Sequence, residues 1–554
     1  MATKRDLLAT GLLALLLALG FLSYAGYPLR DFNRALIGSD FDIFFNTWTM
    51  HQVFDNLLHR PTDLNHSLIF AGEEATFAYT IAPYGLALPL LPVYVLSGEN
   101  LEFTLNLYWL LTFPLTACLG YLLVRYLTGA AALVCMVIGL WLAFAPFRFN
   151  HFSRIEMFST HWLLLCVYCC HRYVDAPSLH RGVIWGMVLG MTAISSGYLM
   201  VFALTICAAI LLYGLLLKPA LLDNPALGYL AAASGIFVLI FIPFFMFRLD
   251  NASFRAGQAF IDIQVNGATV QDWFRSHSAL YHTLMPWRGE WNLFIGLIPL
   301  SLLATALYYR REMITSIGTF QGRHLFYLYL GILIGGYLLT LGPVIAISKG
   351  LKIPSPYLIW MQLPGASNVR FPGRFIALPY VALAILAGLV LHHLDSRLPR
   401  RVGLPLLLAG LVICTAEILP HHADLIKPKY YEETDLRGWL RDLPDHVTVM
   451  NYPYRTDPLG AALERDFIYL HHYPHRMMNG WGSYFPAWYL TYDWSQFPDA
   501  ATVQFVRDHD VRYVLVYQDM LSPAEREHIS SSPLLTYQMS FGTVDIYTLT
   551  DRPS

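Results

Sequence analysis

Twelve apolar runs constrain what this chain can fold into. A helix that crosses the roughly 30 Å hydrocarbon core of a bilayer needs about 20 apolar residues, and most of these runs approach or reach that length. Only 13% of the residues are charged, against about 25% in a soluble domain, and the mean hydropathy is +0.46. The sequence therefore predicts a polytopic α-helical membrane protein, with runs near 7–24, 81–97, 104–126, 131–147, 157–174, 182–195, 199–217, 226–247, 293–309, 325–345, 375–394 and 403–419.

Charged residues beside the runs predict the topology. Lys4 and Arg5 place the N-terminus in the cytoplasm by the positive-inside rule. If all twelve runs cross, three later basic connections lie outside; if one early run does not cross, all three are cytoplasmic. The run 81–97 is short and contains three prolines, so we predict that it is re-entrant or non-spanning. The chain then crosses the membrane eleven times and its C-terminus lies outside.

This topology divides the chain into a transmembrane domain, residues 1–419, and a soluble extracytoplasmic domain, residues 420–554. Long outer loops occupy 25–80, 248–292 and 346–374, whereas the cytoplasmic loops are short. In the soluble domain "HVTVMNY" and "VRYVLVY" are β-branched runs of strand length. The segment between them has helical spacing with Asp499 as its cap, and "YQMSFGTVDIYTL" is typical of a hairpin. A compact α/β unit is therefore expected.

The stretch "IGSDFDIFFNTW", residues 37–48, places Asp40 and Asp42 among aromatic residues. Ser39 and Asp40 are typical of the N-cap of an amphipathic helix in the membrane interface. One interpretation is that Asp40 only caps this helix and Asp42 faces water. The other is that one carboxylate, partly desolvated, acts as a general base. Residues i and i+2 of a helix point to opposite sides, so only one of the two acids can serve. We favour Asp40, at the start of the helix, over Asp42.

Further candidates lie later in the outer loops. Glu74, beside Glu73, could orient an acceptor or bind a divalent cation; the alternative is a solvated charge pair. In 248–292 the polar candidates are Asp272 and Glu290, because outer loops of this length are often functional. Two histidines spaced five apart in the same loop, His277 and His282, are too weak a pattern to predict a metal site.

The junction "RFNHFSRIE", residues 148–156, concentrates polar side chains between two apolar runs. Arg148, His151, Arg154 and Glu156 would be costly to bury without partners. Arg154 and Glu156 could simply reach out to the interface. The alternative is that His151 and Glu156 line the same cavity as Asp40. We take His151, Arg154 and Glu156 as candidates for substrate binding.

The segment "LPGASNVRFPGRFIAL", residues 363–378, predicts an anion site. Pro372 and Gly373 stop any preceding helix, so Arg374 stands near the start of the run 375–394. A helix N-terminus carries positive partial charge and unpaired amides. Arg370 and Arg374 beside it are suited to bidentate phosphate contacts. The alternative is that Arg370 and Arg374 only contact ordinary lipid headgroups.

The order of these stretches resembles the GT-C superfamily of integral membrane glycosyltransferases. The resemblance rests on "GSDFDIFFNTW", "FAPFRFNHFSRIEMFSTHW", "LPGASNVRFPGRF" and the tail's "RMMNGWGSYFPAWY". It implies an inverting transfer from a polyprenyl-phosphate sugar, with Asp40 as base and Arg370 and Arg374 on the phosphate. It also implies a bacterial inner-membrane location and a glycolipid, polysaccharide or protein acceptor. No P-loop or dinucleotide motif is present, and a net charge of −2 does not indicate a nucleic-acid partner.

Two other classes of function remain open on the sequence. A lipid-linked-glycan transporter or flippase should carry paired polar residues deep in several spans and internal repeats, and we see no repeat. A non-catalytic envelope-assembly protein could use the outer tail to bind a partner. Such a protein would bind without turnover.

Overall fold

The computed structural model divides the chain into two compact units, which are taken separately. The membrane unit comprises Met1–Asp40, Leu88–Pro243 and Ala256–Lys429, and the second unit comprises Phe41–Ala87, Phe244–Arg255 and Tyr430–Ser554. The structure describes residues 3–38, 42–73, 76–249, 259–276, 278, 280–281, 291–312, 320–346, 352–363, 366, 369–395, 397–418, 427–430, 434–444, 447–453, 475–480, 485–486, 488–489 and 492–550.

Helices make up most of the described chain. In chain order they are α1 Lys4–Tyr24, α2 Asp42–His59, α3 Tyr84–Leu96, α4 Leu101–Thr128, α5 Ala132–Ala143, α6 Pro146–Phe149, α7 Ile155–Phe158, α8 His161–Asp175, α9 Leu179–Ser195, α10 Gly197–Leu217, α11 Asn224–Leu249, α12 Ala259–Val265, α13 Leu297–Tyr308, α14 Phe320–Thr340, α15 Tyr357–Trp360, α16 Ala377–Asp395, α17 Arg400–Ile418, α18 Asp435–Arg441, α19 Ala500–Asp508 and α20 Pro523–Ser530.

The strands are short and fewer. They are β1 Ala35–Gly38, β2 Val344–Ala346, β3 Lys352–Pro354, β4 Lys427–Tyr430, β5 Thr448–Tyr452, β6 Arg476–Met477, β7 Val511–Tyr517, β8 Leu535–Phe541 and β9 Val544–Leu549. β1 pairs with β4, and β2 pairs with β3 in antiparallel register.

Six described helices are long and apolar enough to cross a membrane: Lys4–Tyr24, Leu101–Thr128, Ala132–Phe149, Gly197–Leu217, Asn224–Phe244 and Pro372–Asp395. Their outward faces are apolar as well, since Leu8 of α1 is 73% exposed and Leu239 of α11 is 70% exposed. Such faces are unfavourable in water and expected in lipid. The chain is a multi-pass membrane protein, as predicted.

Shorter apolar helices complete the bundle, among them α3, α13, Pro405–Glu417 and His324–Thr340. α3 has 13 residues and contains Pro89 and Pro92. At 1.5 Å per residue it is about 20 Å long, less than the hydrocarbon thickness. This length agrees with a run that does not cross, and the total of eleven crossings stays a prediction.

Small residues let the helices of the membrane unit approach closely. A Cβ at Gly139 of α5 would lie 2.3 Å from the carbonyl oxygen of Ala117 in α4. A Cβ at Gly186 of α9 would lie 2.3 Å from the carbonyl oxygen of Ala233 in α11. Helices in lipid gain little from the hydrophobic effect, so close backbone packing of this kind holds them together.

The second unit contains the predicted α/β fold. Its sheet has the order β6-β5-β7-β9-β8, with β5 parallel to β6 and β7 and the β8–β9 hairpin antiparallel. Both predicted strands are present as β5 and β7, and the predicted hairpin is β8–β9. Asp499 caps α19 as expected, because its Oδ1 accepts from the Thr502 amide at 2.8 Å.

Helix α2 also belongs to the second unit and begins at Asp42. Twelve of its 18 residues are buried, so it is enclosed around most of its circumference, unlike the interfacial amphipathic helix that we predicted. The predicted cap, Ser39 and Asp40, lies outside the described residues.

Candidate functional site

The helices of the membrane unit bring their termini together at two opposite ends. At one end the last turns of α4, α8 and α10 meet the beginning of α14. At the other end the α5–α8 junction, the start of α10 and the segment before α16 meet. The described candidate residues of the membrane unit lie on segments of this second end, which we call the junction end.

Arg374 stands where the sequence predicted, directly before a long helix. Residues Pro372–Ile376 form a 3₁₀ turn that leads into α16. Phe375 fixes this turn, because its ring packs 4.9 Å from Phe202 and 4.8 Å from Trp360 between centroids. A side chain at Gly373 would collide with Trp291, whose ring lies 2.6 Å from the position of a Cβ. Glycine is therefore required for the close approach that sets the segment.

The guanidinium of Arg374 lies between two aromatic rings. Its Cζ is 4.5 Å from the ring centroid of Tyr198 and 4.5 Å from that of Phe371. Cation–π contacts of this kind stabilise the charge, by about 2 kcal/mol or more when the pair is desolvated. The side chain is only 6% exposed, so a permanent positive charge is held inside the junction end.

His151 and Arg154 lie close to this charge. Arg154 Nη1 is 3.5 Å from His151 Nδ1, and His151 is buried. Burial, then the positive charges of Arg374 and Arg154, lower the pKa of His151 well below its usual range near 6.5. The imidazole is therefore neutral at physiological pH. The three residues together place two positive charges and a neutral polar ring at one site, in which His151 and Arg374 are buried and Arg154 is half-buried.

Arg148, from the same junction, has a different role. Its Nε donates to the Phe158 carbonyl at 3.1 Å, its Nη2 to Thr112 Oγ1 at 2.7 Å, and its Nη1 to the Ala143 carbonyl. Its Cζ also lies 3.9 Å from the ring centroid of Phe158. These contacts tie α4 to the two ends of the α5–α8 connection, so Arg148 is a structural residue.

The chain leading to Asp40 is fixed by one asparagine of α4. Asn106 Oδ1 accepts from the Ile37 amide at 2.9 Å, and its Nδ2 donates to the carbonyls of Ala35 and Phe32 at 2.7 and 2.8 Å. The same apolar cluster contains Ile37 of β1 together with Phe149 and Phe152. β1 is thus anchored beside the chain neighbours of His151, and Asp40 follows two residues after the strand ends.

The other predicted residues are distributed as follows. Glu156 is buried in α7 and Arg370 is half-buried at the start of the Arg374 segment, both in the membrane unit. Asp42 lies in the second unit, where Glu73 accepts from Trp488 Nε1 at 2.8 Å. Asp40, Glu74 and Glu290 lie outside the described residues.

Asp272 has an internal use that the sequence analysis did not foresee. Its Oδ2 accepts from the amide and the hydroxyl of Thr269 at 2.6 and 2.8 Å, and Arg275 pairs with it. This capping box holds the 3₁₀ turn Val270–Phe274. The arrangement accounts for the burial of the carboxylate, and a role in substrate binding stays a prediction.

Sequence reasoning missed Tyr198, Asn106 and Trp291. Tyr198 and Trp291 lie among apolar residues and gave no signal, because an aromatic ring in a membrane protein is most often packing. Asn106 did give one: a carboxamide inside the run 104–126 must find partners in lipid. Among the described residues no group of three or more His, Cys, Asp or Glu side chains could hold a metal ion.

The fold is shared with solved membrane glycosyltransferases. Arabinofuranosyltransferase AftD from Mycobacteria matches 100% of this chain at 15% identity with a TM-score of 0.52, and the chain spans 40% of AftD. An oligosaccharyltransferase from Archaeoglobus fulgidus matches 99% of this chain and 74% of its own at 14% identity, with a TM-score of 0.51. The chain therefore has the GT-C fold, as the sequence resemblance indicated.

Sequence comparison adds the family. No curated protein matches the chain at the level of sequence. A family described as "Domain of unknown function (DUF6311)" matches residues 73–418, which is more than half of the 554 residues. The chain belongs to the DUF6311 family.

Proposed function

We propose that this protein is a glycosyltransferase that moves a sugar from a polyprenyl-phosphate donor to a hydroxyl group of an extracytoplasmic acceptor. The observation that carries the proposal is the pair of positive charges, Arg374 and Arg154, beside a neutral His151 at the junction end. Two fixed cations at a membrane boundary suit a lipid-linked phosphate. The GT-C fold, and neighbours that are sugar-transferring enzymes by name, support the same class of reaction.

The arginines act on the leaving group. In the transfer the acceptor oxygen forms a bond to the anomeric carbon while the bond from that carbon to the phosphate oxygen breaks. Negative charge then grows on the departing phosphate. Arg374, held between Tyr198 and Phe371, is preorganised to stabilise that charge, with Arg370 and Arg154 as its partners. Preorganised donors of this kind are among the largest contributions to catalysis.

The acceptor proton goes to a carboxylate of the first outer loop. Asp40 is our choice, because Asn106 anchors the strand that precedes it and the same apolar cluster contains Phe149 and Phe152, which flank His151. Asp42 is the alternative base. A single displacement of this kind inverts the anomeric carbon. Glu74, Glu156 and Glu290 remain candidates for acceptor contacts.

The proposed orientation follows from the distribution of charge. The end opposite the junction end carries four cations in the last turns of α4 and α8, the first turn of α9 and the C-cap of α10: Arg125, Arg172, Arg181 and Lys218. By the positive-inside rule that end faces the cytoplasm, so the junction end faces outward in a bacterial inner membrane. Nucleotide sugars are confined to the cytoplasm, and a donor at the outer face must arrive on a lipid.

A transfer assay tests the proposal. Purified protein in liposomes is given a panel of radiolabelled polyprenyl-phosphate sugars with an envelope extract as the source of acceptor, and loss of label from the carrier is measured. We expect that wild type removes label from one of the donors and that Asp40→Asn removes none. Normal transfer by Asp40→Asn together with no transfer by Asp42→Asn would assign the base to Asp42. No loss with any donor, by protein shown to be folded, would contradict the proposal.

A further inference from the structure

A cavity of about 100 Å³ lies at the end of the membrane unit opposite the candidate site. It is lined by the last turns of α4, α8 and α10 and by the beginning of α14. One water needs roughly 10–15 Å³ of such space, so the cavity is large enough for a group of several heavy atoms. Nothing in the proposed transfer uses it.

Polar side chains of four helices surround this cavity. Lys218 Nζ pairs with Asp175 Oδ1 at 2.8 Å, and the Tyr126 hydroxyl donates to Asp175 Oδ2 at 2.7 Å. On the other side, the Tyr213 hydroxyl is 2.9 Å from His324 Nδ1. The lining is therefore rich in hydrogen-bond donors.

The surroundings of the cavity are positively charged. The Cζ of Arg172 lies 5.7 Å from the ring centroid of Tyr126. Arg181 folds back onto the same turn, donating to the carbonyls of Arg172 and Ala176 at 2.9 Å each. These two arginines and Lys218 outnumber Asp175, the carboxylate in the lining. Arg172 and Arg181 lie outside the lining, and with them the surroundings of the cavity favour an anion.

Apolar side chains beside the cavity point to a lipid. Ile210 and Leu217 of α10 and Leu325 and Leu328 of α14 belong to the lining itself. Side chains of this kind suit contact with an acyl chain. A ligand in the cavity would therefore have its polar group among Lys218, Tyr213 and His324 and its apolar part along α10.

We propose that this cavity binds the phosphate headgroup of an anionic phospholipid, with Lys218 and the Tyr213 hydroxyl as its main contacts. Basic pockets between membrane helices commonly bind anionic headgroups. The inference rests on the membrane location of the chain and is independent of the proposed transferase activity.

Binding is measured on the full-length protein by native mass spectrometry after extraction from vesicles of phosphatidylglycerol and phosphatidylcholine in equal amounts. We expect retention of phosphatidylglycerol over phosphatidylcholine by wild type. Lys218→Met should lower that retention about tenfold, because a charge-assisted hydrogen bond contributes about 1.5–3 kcal/mol. Tyr213→Phe, which removes one hydroxyl, should lower it about threefold and serves if Lys218→Met does not fold.

Arg310→Gln is the matched control, because it removes a cation that is exposed and lies outside the cavity lining. Equal loss in Lys218→Met and Arg310→Gln would overturn the proposal, since it would indicate general surface attraction. Equal retention of both lipids by wild type would overturn it too. A separate titration with inorganic phosphate should give no thermal shift; a shift abolished by Lys218→Met would replace the lipid by a free phosphate.

Discussion

Two buried arginines of the membrane unit both lie against aromatic rings but stand at different places in the fold. Arg148 gives its N–H groups to two backbone carbonyls and to Thr112. Arg374 has aromatic rings against its guanidinium, from Tyr198 and Phe371. Both are at most 6% exposed, so burial alone does not distinguish them.

The difference indicates their roles. Hydrogen bonds to backbone carbonyls fix Arg148 within the fold and tie three segments of chain together. Arg374 stands directly before the N-terminus of α16, with His151 and Arg154 nearby, and a helix N-terminus beside cations favours an anion. The position and surroundings of Arg374 fit a ligand site, and those of Arg148 fit a structural tie. The same substitution at the two positions should separate these roles.

The largest expected effect is on catalysis. Arg374→Met should lower kcat/KM for the lipid-linked donor by about 10²–10³, because one preorganised donor to a developing anion contributes about 3–4 kcal/mol. The contacts with Tyr198 and Phe371 are lost as well, so the rate is expressed per folded molecule. The measurement is initial-rate transfer with the donor found in the panel, beside thermal unfolding in the same detergent. Full activity in a folded variant would remove Arg374 from the site.

Arg148→Met should lower stability and leave transfer nearly unchanged. Thr112 and two carbonyls lose their donor in a buried place, at a cost of about 3 kcal/mol in the free energy of unfolding. Transfer per folded molecule should stay within about threefold of wild type, since no ligand contact is lost. Thermal unfolding measures the loss of stability. Transfer rates divided by the amount of folded protein measure the activity. If Arg148→Met unfolds as wild type but loses transfer, the contrast between the two arginines is wrong.

The anchor of the first outer loop comes next. Asn106→Ala removes the hydrogen bonds to the Ile37 amide and to the Ala35 and Phe32 carbonyls, at a cost of about 2 kcal/mol. The Ala35 carbonyl keeps the Tyr27 hydroxyl. Transfer should fall at least about tenfold because the loop with Asp40 loses its position. Ser178→Ala is the matched control: it removes the cap of α9 at the opposite end of the membrane unit, at about 1 kcal/mol, and should leave transfer normal. Equal losses of transfer in both variants would mean that general destabilisation is the cause.

The smallest effect is a pH dependence. The pKa of His151 is lowered by burial and by Arg374 and Arg154. As the pH falls below about 6.5, the unfolded chain takes up a proton at this position and the folded chain does not. Stability is therefore lost on acidification, by up to about 1.4 kcal/mol per pH unit.

His151→Gln removes this contribution while every other histidine is kept. Between pH 7.5 and 5.5, unfolding curves of wild type should shift toward lower stability more steeply than those of the variant. Parallel curves would show that the folded protein does not hold His151 neutral.

Some of the site could be predicted from local sequence. Pro372 and Gly373 predict the start of a helix after them, and the structure confirms that Arg374 lies directly before α16. Asp499, three residues before Thr502, gave the cap of α19 by the same kind of reasoning. In the second unit, β-branched runs with turn residues between them identified β5, β7 and the terminal hairpin. These features depend on neighbours within a few residues.

Other features depend on contacts between distant segments. Arg148 and His151 stand three residues apart in one polar patch, and only their partners, Thr112 for one and Arg374 for the other, assign them different roles. In the sequence Tyr198 is an ordinary aromatic residue of a span, and only the structure shows that Arg374 packs against its ring. Asp272 is a counter-example, because Thr269 three residues before it is a local signal for a capping box that the sequence analysis passed over.

The central claim is that the junction end holds the phosphate of a polyprenyl carrier. The most direct measurement is the affinity of polyprenyl phosphate itself, without any sugar, for wild type, Arg374→Met and Arg310→Gln in nanodiscs. It needs neither the identity of the sugar nor that of the acceptor. The account predicts saturable binding that weakens at least about tenfold in Arg374→Met and is unchanged in Arg310→Gln. Equal binding by all three proteins would contradict it.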